Sequence, residues 1–398
     1  MSIKTRDWPQ HGEDEILAVK NVLSTGCTNY WTGNECREFE KEYAKFTGTE
    51  YAVALMNGTV ALEAALYALN IGPGDEVITS CRTFIASASC IVLRGATPVF
   101  ADVDPVSQNI TAETIKPCIT SKTKAIIVVH LAGWPAEMES IMALANTYQI
   151  KVIEDCAQAH GAMIHDRMVG SWGHIGAFSF CQDKIITTGG EGGMITTNDK
   201  ALWQKIWSFK DHGKDFDRVY HVEHPPGYRW LHESFGTNWR MTEVQAAIGR
   251  VQLKKISDWL DKRRRNADIL NKYFMNIEAL RVTVPPKEVL HSYYKYYVFI
   301  NPTKLKTGWN RDRVMQEINH RDVSCFFGSC SEVYAEGAFK NSGLFYETKP
   351  VAKTLGETSL MFLVSPTFTE EDMNRTAKIT HDVIKMATYA HDQVVVDY

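Results

Sequence analysis

From residue 51 to residue 198, short β-rich runs alternate with helical patterns, and this alternation constrains the fold more than any other feature of the chain. The runs are YAVALM from 51, EVITS from 76, TPVFADV from 97, KAIIVVH from 124, KVIEDC from 151, GAFSF from 176 and GGMITTN from 192. Strands arriving singly between helices build a mostly parallel sheet with helices on both faces, the α/β class. Several runs are too apolar to be half exposed, as covered strands require. Seven strands are therefore predicted. The first crossover is plain: TVALEAALYAL from Thr59 puts Ala61, Leu62, Ala65, Leu66 and Leu69 on one stripe, and IGPGDE stops that helix with glycine and proline.

A further helix is predicted over 242–260, where Val244, Ala247, Ile248 and Val251, then Leu253, Ile256 and Leu260, keep helical spacing within each set. The basic stretch 262–265 follows it. A chain of 398 residues exceeds what one hydrophobic core usually organises. The boundary is set at that stretch, with 1–260 as a large domain and 261–398 as a smaller α+β domain. The smaller domain is expected to hold a strand in YYKYYVFI from Tyr293 and helices over 311–319 and 370–390.

A net charge of -4 offers no general attraction to nucleic acid or to an anionic membrane. No apolar run approaches the roughly 20 residues of a membrane span, and MSIKTRDWPQHGEDE lacks the apolar core of a signal peptide, so a cytoplasmic protein is expected. The nine cysteines, at 27, 36, 81, 90, 118, 156, 181, 325 and 330, include no CxxC pair. They read as reduced, mostly buried thiols, and no metal site is expected.

Lys184 lies in GAFSFCQDKIITTGGEGG, where a strand ends in a polar loop before Gly189, Gly190, Gly192 and Gly193. A lysine there can join an aldehyde cofactor when its amine is partly unprotonated, which burial and nearby positive charge bring about; the plain alternative is a solvated loop lysine. Asp155, in IEDCAQAHG, ends a strand on the side where open parallel sheets bind ligands. Its carboxylate suits a protonated pyridine nitrogen, or else it caps the next helix. In MNGTVALEAAL, Asn57, Gly58 and Thr59 open a helix whose free N–H groups could hold a phosphate together with the Ser179 hydroxyl, or Asn57 simply caps it. Phe84, in SCRTFIAS, reads either as a stacking partner for a ring or as core.

Taken in order, NGTVALEAALYALNIGPGDEVI, TFIAS, GATPVFADVD, EDCAQAHGA, FSFCQDKIITTGGEGG, DHG and NWRMTEVQAAIGRVQL resemble blocks of the DegT/StrS-type sugar aminotransferases. The resemblance implies a fold type I transferase dependent on pyridoxal 5'-phosphate, with a seven-stranded sheet and a homodimer whose sites lie at the subunit interface. Position by position, Lys184 matches the Schiff-base lysine, Asp155 the pyridinium partner, and Gln158 a residue near the ring hydroxyl. Gly58, Thr59 and Ser179 match the phosphate site, and Phe84 a stacking aromatic. Asn238 matches an asparagine that reaches the phosphate from the neighbouring subunit. The implied reaction has two halves at one site, with an amino acid, usually glutamate, giving nitrogen and a keto-sugar, typically nucleotide-linked, receiving it.

Three departures bear on the sugar and not on the cofactor. Asn57 replaces a common serine; Cys81 and Arg82 stand where a proline and a small or aromatic residue are usual; and FFGSCSEVY lacks the histidine often found in the C-terminal substrate loop. Arg82 is read as a surface arginine, with contact to an acidic substrate group as its other reading. Sugar dehydratases of the same fold carry histidine in place of the lysine, so Lys184 argues against a dehydratase. Retention of Lys184, Asp155, Gln158 and Ser179 together argues against a silent cofactor-binding regulator.

Overall fold

The computed structural model describes residues 8–389. The seven expected strands form one sheet: β1 (Tyr51–Leu55), β2 (Glu76–Ser80), β3 (Thr97–Ala101), β4 (Thr123–Val129), β5 (Lys151–Asp155), β6 (Ile175–Ser179) and β7 (Gly193–Thr197). Their spatial order is β1-β7-β6-β5-β4-β2-β3. β7 runs antiparallel to β1 and β6, and all other neighbours are parallel. In β4 every residue but Lys124 is buried, the pattern of a strand covered on both faces.

Alternation along β6 shows how the sheet holds two cores. Ile175 and Ala177 join the cluster under helix Gly58–Ala68, where Ala61, Leu62, Ala65 and Leu66 meet Ile127, Ile153 and Ile195. Phe178 and Phe180 point the other way, against Phe39 and Tyr43 of helix Glu35–Thr47 and Ile256 and Leu260 of the long helix.

That long helix runs from Glu243 to Phe274, capped by the reciprocal bonds of Thr242 and Gln245. It therefore passes the expected end at residue 260. The reason is packing: Ala267, Leu270 and Phe274 continue the apolar spacing and are buried against a second sheet. Arg263, from the stretch at which the boundary was set, is 1% exposed and donates to the carbonyls of Tyr293 and Tyr294, both at 3.3 Å.

The second sheet is wholly antiparallel, in the order Leu280–Val282, Tyr296–Ile300, Ser359–Phe362, Cys325–Phe326. Helices Arg311–Asn319 and Glu370–Ala387 close its core through Val314, Ile318, Met373, Ala377 and Ile384. The expected strand starts at Tyr296 and not at Tyr293; Ala390, the expected end of the last helix, lies outside the described residues. A small sheet of two-residue strands, Met163–Ile164, Arg167–Met168 and Val289–Leu290, was not expected, since such strands are too short to show alternation. All nine cysteines are free thiols. Among the described residues no helix is long and apolar enough to cross a membrane.

Candidate active site

β2, β4, β5 and β6 are mutually parallel, so their carboxyl ends share one edge, and a cavity of about 730 Å³ opens there. Asp155, the last residue of β5, lines it. The carboxylate accepts hydrogen bonds from Ser87 Oγ at 2.7 Å and from the Ala157 amide at 3.2 Å. Burial pushes its pKa up, against the pull of those two donors and of the Lys184 charge. No helix starts directly after it, so its bond to Ala157 serves a turn and the helix-cap alternative lapses. A desolvated carboxylate held by two donors is ready to receive a cation.

Helix Gly58–Ala68 begins on the same edge. Asn57 does cap it, its Oδ1 accepting from the Val60 amide at 3.0 Å, while the amides of Gly58 and Thr59 precede the first intrahelical bond. The capping reading holds, and it leaves those two amides without an intrahelical partner. A Cβ on Gly58 would lie 2.6 Å from Ser179 Cβ, so only glycine lets the helix start and β6 come this close. The Ser179 hydroxyl accepts from the Cys181 amide at 3.4 Å and keeps its own hydrogen to donate. Behind it, His160 bonds the Ser179 carbonyl at 2.9 Å and the Tyr43 hydroxyl at 2.7 Å; burial pushes its pKa down to about 3, so the ring stays neutral.

Lys184 is half-buried and lines the cavity, with Nζ 4.8 Å from the centre of the Tyr294 ring. Its carbonyl accepts from Trp8 Nε1 at 2.7 Å. Tyr294 donates its hydroxyl to Asp183, and Lys295 Nζ lies 3.4 Å from the same carboxylate. Against the upward push of burial, Lys184, Lys295 and the Tyr294 hydroxyl hold Asp183 below its ordinary range. Gln158 lines the cavity and its Oε1 accepts from the Ala132 amide at 2.8 Å. Phe84 is 67% exposed on the cavity wall and is not core.

Two expectations concern residues away from this cavity. Arg82 is fully buried, which overturns the surface reading. It donates to Gln108 Oε1 at 3.0 Å, Ser359 Oγ at 3.3 Å and the Ser329 carbonyl at 3.5 Å, and so braces the loop Gly328, Ser329 and Cys330 from behind without itself lining the cavity. Asn238 is exposed and lies outside the cavity of its own chain. Sequence reasoning missed Ser87, His160, Tyr294 and Lys295. The last two stood inside a run read only as a strand, and nothing in local spacing singles them out.

His130, Glu154 and Cys156 lie close enough together to suggest a metal site. The Glu154 carboxylate is already satisfied by His130 Nε2 and the amides of Gly170, Trp172 and Gly173, at 2.7–3.1 Å. His130 Nδ1 accepts from the Ala136 amide at 3.0 Å, so the His130 and Glu154 side chains are engaged in bracing the loop between β5 and β6.

The residues fit pyridoxal phosphate: a helix start and a hydroxyl for its phosphate, a buried carboxylate for its ring nitrogen, an amine for its aldehyde and an aromatic wall. Comparison with known proteins agrees. The profile of the DegT/DnrJ/EryC1/StrS aminotransferase family matches residues 9–380. The GDP-perosamine synthase of Escherichia coli O157:H7 is 43% identical over 263 residues, 66% of this chain and 68% of that protein. A UDP-N-acetyl-3-dehydro-alpha-D-glucosamine 3-aminotransferase of Acidithiobacillus ferrooxidans is 36% identical over 92% of this chain and 93% of its own. The X-ray structure of an aminotransferase from Psychrobacter cryohalolentis superposes with a TM-score of 0.94 at 55% identity, covering 96% of this chain and 99% of that one. The structure of NtdA from Bacillus subtilis, with the aminated cofactor PMP bound, gives 0.80 at 26% identity, covering 94% and 82%.

Proposed function

The chain belongs to the DegT/DnrJ/EryC1/StrS aminotransferase family, and from that membership we propose that Lys184 and Asp155 carry the transfer of an amino group from glutamate to a nucleotide-linked keto-sugar. It is a pyridoxal-phosphate-dependent nucleotide-sugar aminotransferase. The observation that carries the residue assignment is the convergence of Lys184, buried Asp155 and the Gly58–Ser179 contact on one cavity.

When bound, the cofactor supplies an aldehyde that exchanges nitrogen with the substrates and a ring that withdraws electrons from the reacting carbon. Lys184 would hold the aldehyde end, and its amine, when free, would move a proton between the substrate carbon and the cofactor carbon in each half reaction. Asp155 would accept the hydrogen bond of the ring nitrogen, whose positive charge would offset the burial that raises the pKa of Asp155. Ser87 keeps that carboxylate aimed into the cavity. Gly58, Thr59 and Ser179 would hold the phosphate, Phe84 would face the ring, and Gln158, anchored by the Ala132 amide, would serve the ring hydroxyl.

The same reading makes the enzyme a cytoplasmic homodimer in which Asn238 reaches the phosphate of the partner's site, as its exposure outside its own cavity supports. It also keeps the division into 1–260 and 261–398, supported by the core on one face of the second sheet, which draws on residues from Ala267 onward. Borohydride reduction of the protein loaded with cofactor, followed by peptide mapping, should label Lys184; glutamate should bleach the visible band, and a nucleotide-linked 3-keto or 4-keto sugar should restore it with formation of the amino-sugar. A label on another lysine would refute the assignment.

A further inference from the structure

Among the described residues lining the cavity, the positively charged side chains are Lys184 and Lys295, against the four carboxylates of Asp155, Asp183, Glu191 and Glu336. Lys184 is committed to the aldehyde. An amino-acid donor brings its own carboxylates into this acidic space, and desolvating them without a counter-charge is costly.

We propose that Lys295 is the donor subsite: its ammonium receives a carboxylate of the amino donor while the donor nitrogen occupies the place of Lys184 Nζ. The proposal rests on the aminotransferase reading above and deepens it. The two lysine nitrogens lie 4.8 Å and 4.5 Å from the centre of one ring, that of Tyr294, and so at most 9.3 Å apart. An amino acid with its nitrogen at one end spans such a gap to a carboxylate at the other, helped by the flexible four-carbon stem of lysine.

Lys295 is also underused where it stands. Its contact with Asp183 is 3.4 Å, longer than the roughly 2.7–2.9 Å of a strong charged hydrogen bond, although the side chain is only 16% exposed. Asp183 keeps the Tyr294 hydroxyl when the ammonium turns to a ligand. Burial pushes the pKa of Lys295 down, with Asp183 opposing and Arg263 and Lys184 adding to the push, and a second carboxylate would act with Asp183 to favour the charged ammonium. The backbone beneath is held to the cofactor side of the site. The Lys295 amide donates to the Ala132 carbonyl at 3.4 Å, and the Ala132 amide donates to Gln158 at 2.8 Å.

The test is the donor half reaction alone. Loaded enzyme is mixed with glutamate, and the loss of visible absorbance is followed as a function of glutamate concentration. Lys295→Met should raise the half-saturating glutamate by about 10- to 100-fold, the loss expected for one charged hydrogen bond. Lys295→Arg should recover most of it, and half-saturation of the aminated enzyme by keto-sugar should move less than about threefold in either variant. Retention of the visible band and of the melting temperature reports folding, and Lys295→Gln replaces the methionine variant if that one fails. Unchanged dependence on glutamate, or a shift that falls on the keto-sugar instead, would overturn the proposal, the latter assigning Lys295 to the sugar nucleotide. A wild-type protein that never forms the band, or that glutamate does not bleach, would instead overturn the aminotransferase reading on which this one stands.

Discussion

Two histidines report how thoroughly this interior is closed to water. Burial pushes the pKa of His160 down to about 3, and burial followed by the Arg264 charge does the same to His291. Unfolded, each returns to about 6.5. Between those values the unfolded chain binds more protons than the folded one, so the stability due to each ring is present above about pH 6.5 and is lost as pH falls toward 3. The slope approaches about 1.4 kcal/mol per pH unit for each histidine. Denaturant melts from about pH 7 down to about pH 4 should show it, and His160→Gln should flatten the curve; an unchanged slope would mean that His160 is already charged in the fold. Residues differ in how far such environments can be read from sequence. Asp155 ends a strand and Lys184 follows one, and strand ends can be read from local pattern. The burial of Arg82 depends on Ser329 and Ser359, 247 and 277 residues away, so the surface reading had no local signal to oppose it.

At the scale of elements, the contact between helix Gly58–Ala68 and β6 is where packing and binding meet. Gly58→Ala would set a Cβ 2.6 Å from Ser179 Cβ and 3.2 Å from its Cα, and a backbone neighbour cannot rotate away. Overpacking of this kind costs about 1–3 kcal/mol, and relief requires moving the helix start off the proposed phosphate position. The expected outcome is a lower melting temperature and at least a roughly tenfold weaker hold on pyridoxal phosphate in an absorbance titration. Wild-type affinity in that variant would exclude the Gly58–Ser179 cradle. The start of this helix was legible because Asn57 and Gly58 mark it, and its stop because IGPGDE follows. The long helix was legible only to residue 260. Beyond it the partners of Ala267, Leu270 and Phe274 are strands that come later in the chain, so a run of basic residues looked like an end.

For the whole molecule, the site is expected to be complete only in a pair. The segment leading to Asn238 leaves Tyr228, Trp230 and Phe235 at 72%, 77% and 98% exposure, as a surface awaiting a partner would. Lys184→Ala and Asn238→Asp should each be nearly inactive at limiting cofactor, yet their co-expression should recover about a quarter of wild-type activity, because half of the dimers would hold one intact site of two. Recovery of nothing would place Asn238 in its own chain's site or in none. The amino-acid sequence by itself determined the seven strands, the first crossover helix, the strand-end position of Asp155 and the loop position of Lys184, because hydrophobic period and turn residues act over a few neighbours. Only the tertiary structure decided that Tyr294 and Lys295 enter the cavity, that Arg82 is sealed behind its wall and that Glu154 is saturated, because burial and hydrogen-bond partners are set by segments far apart along the chain.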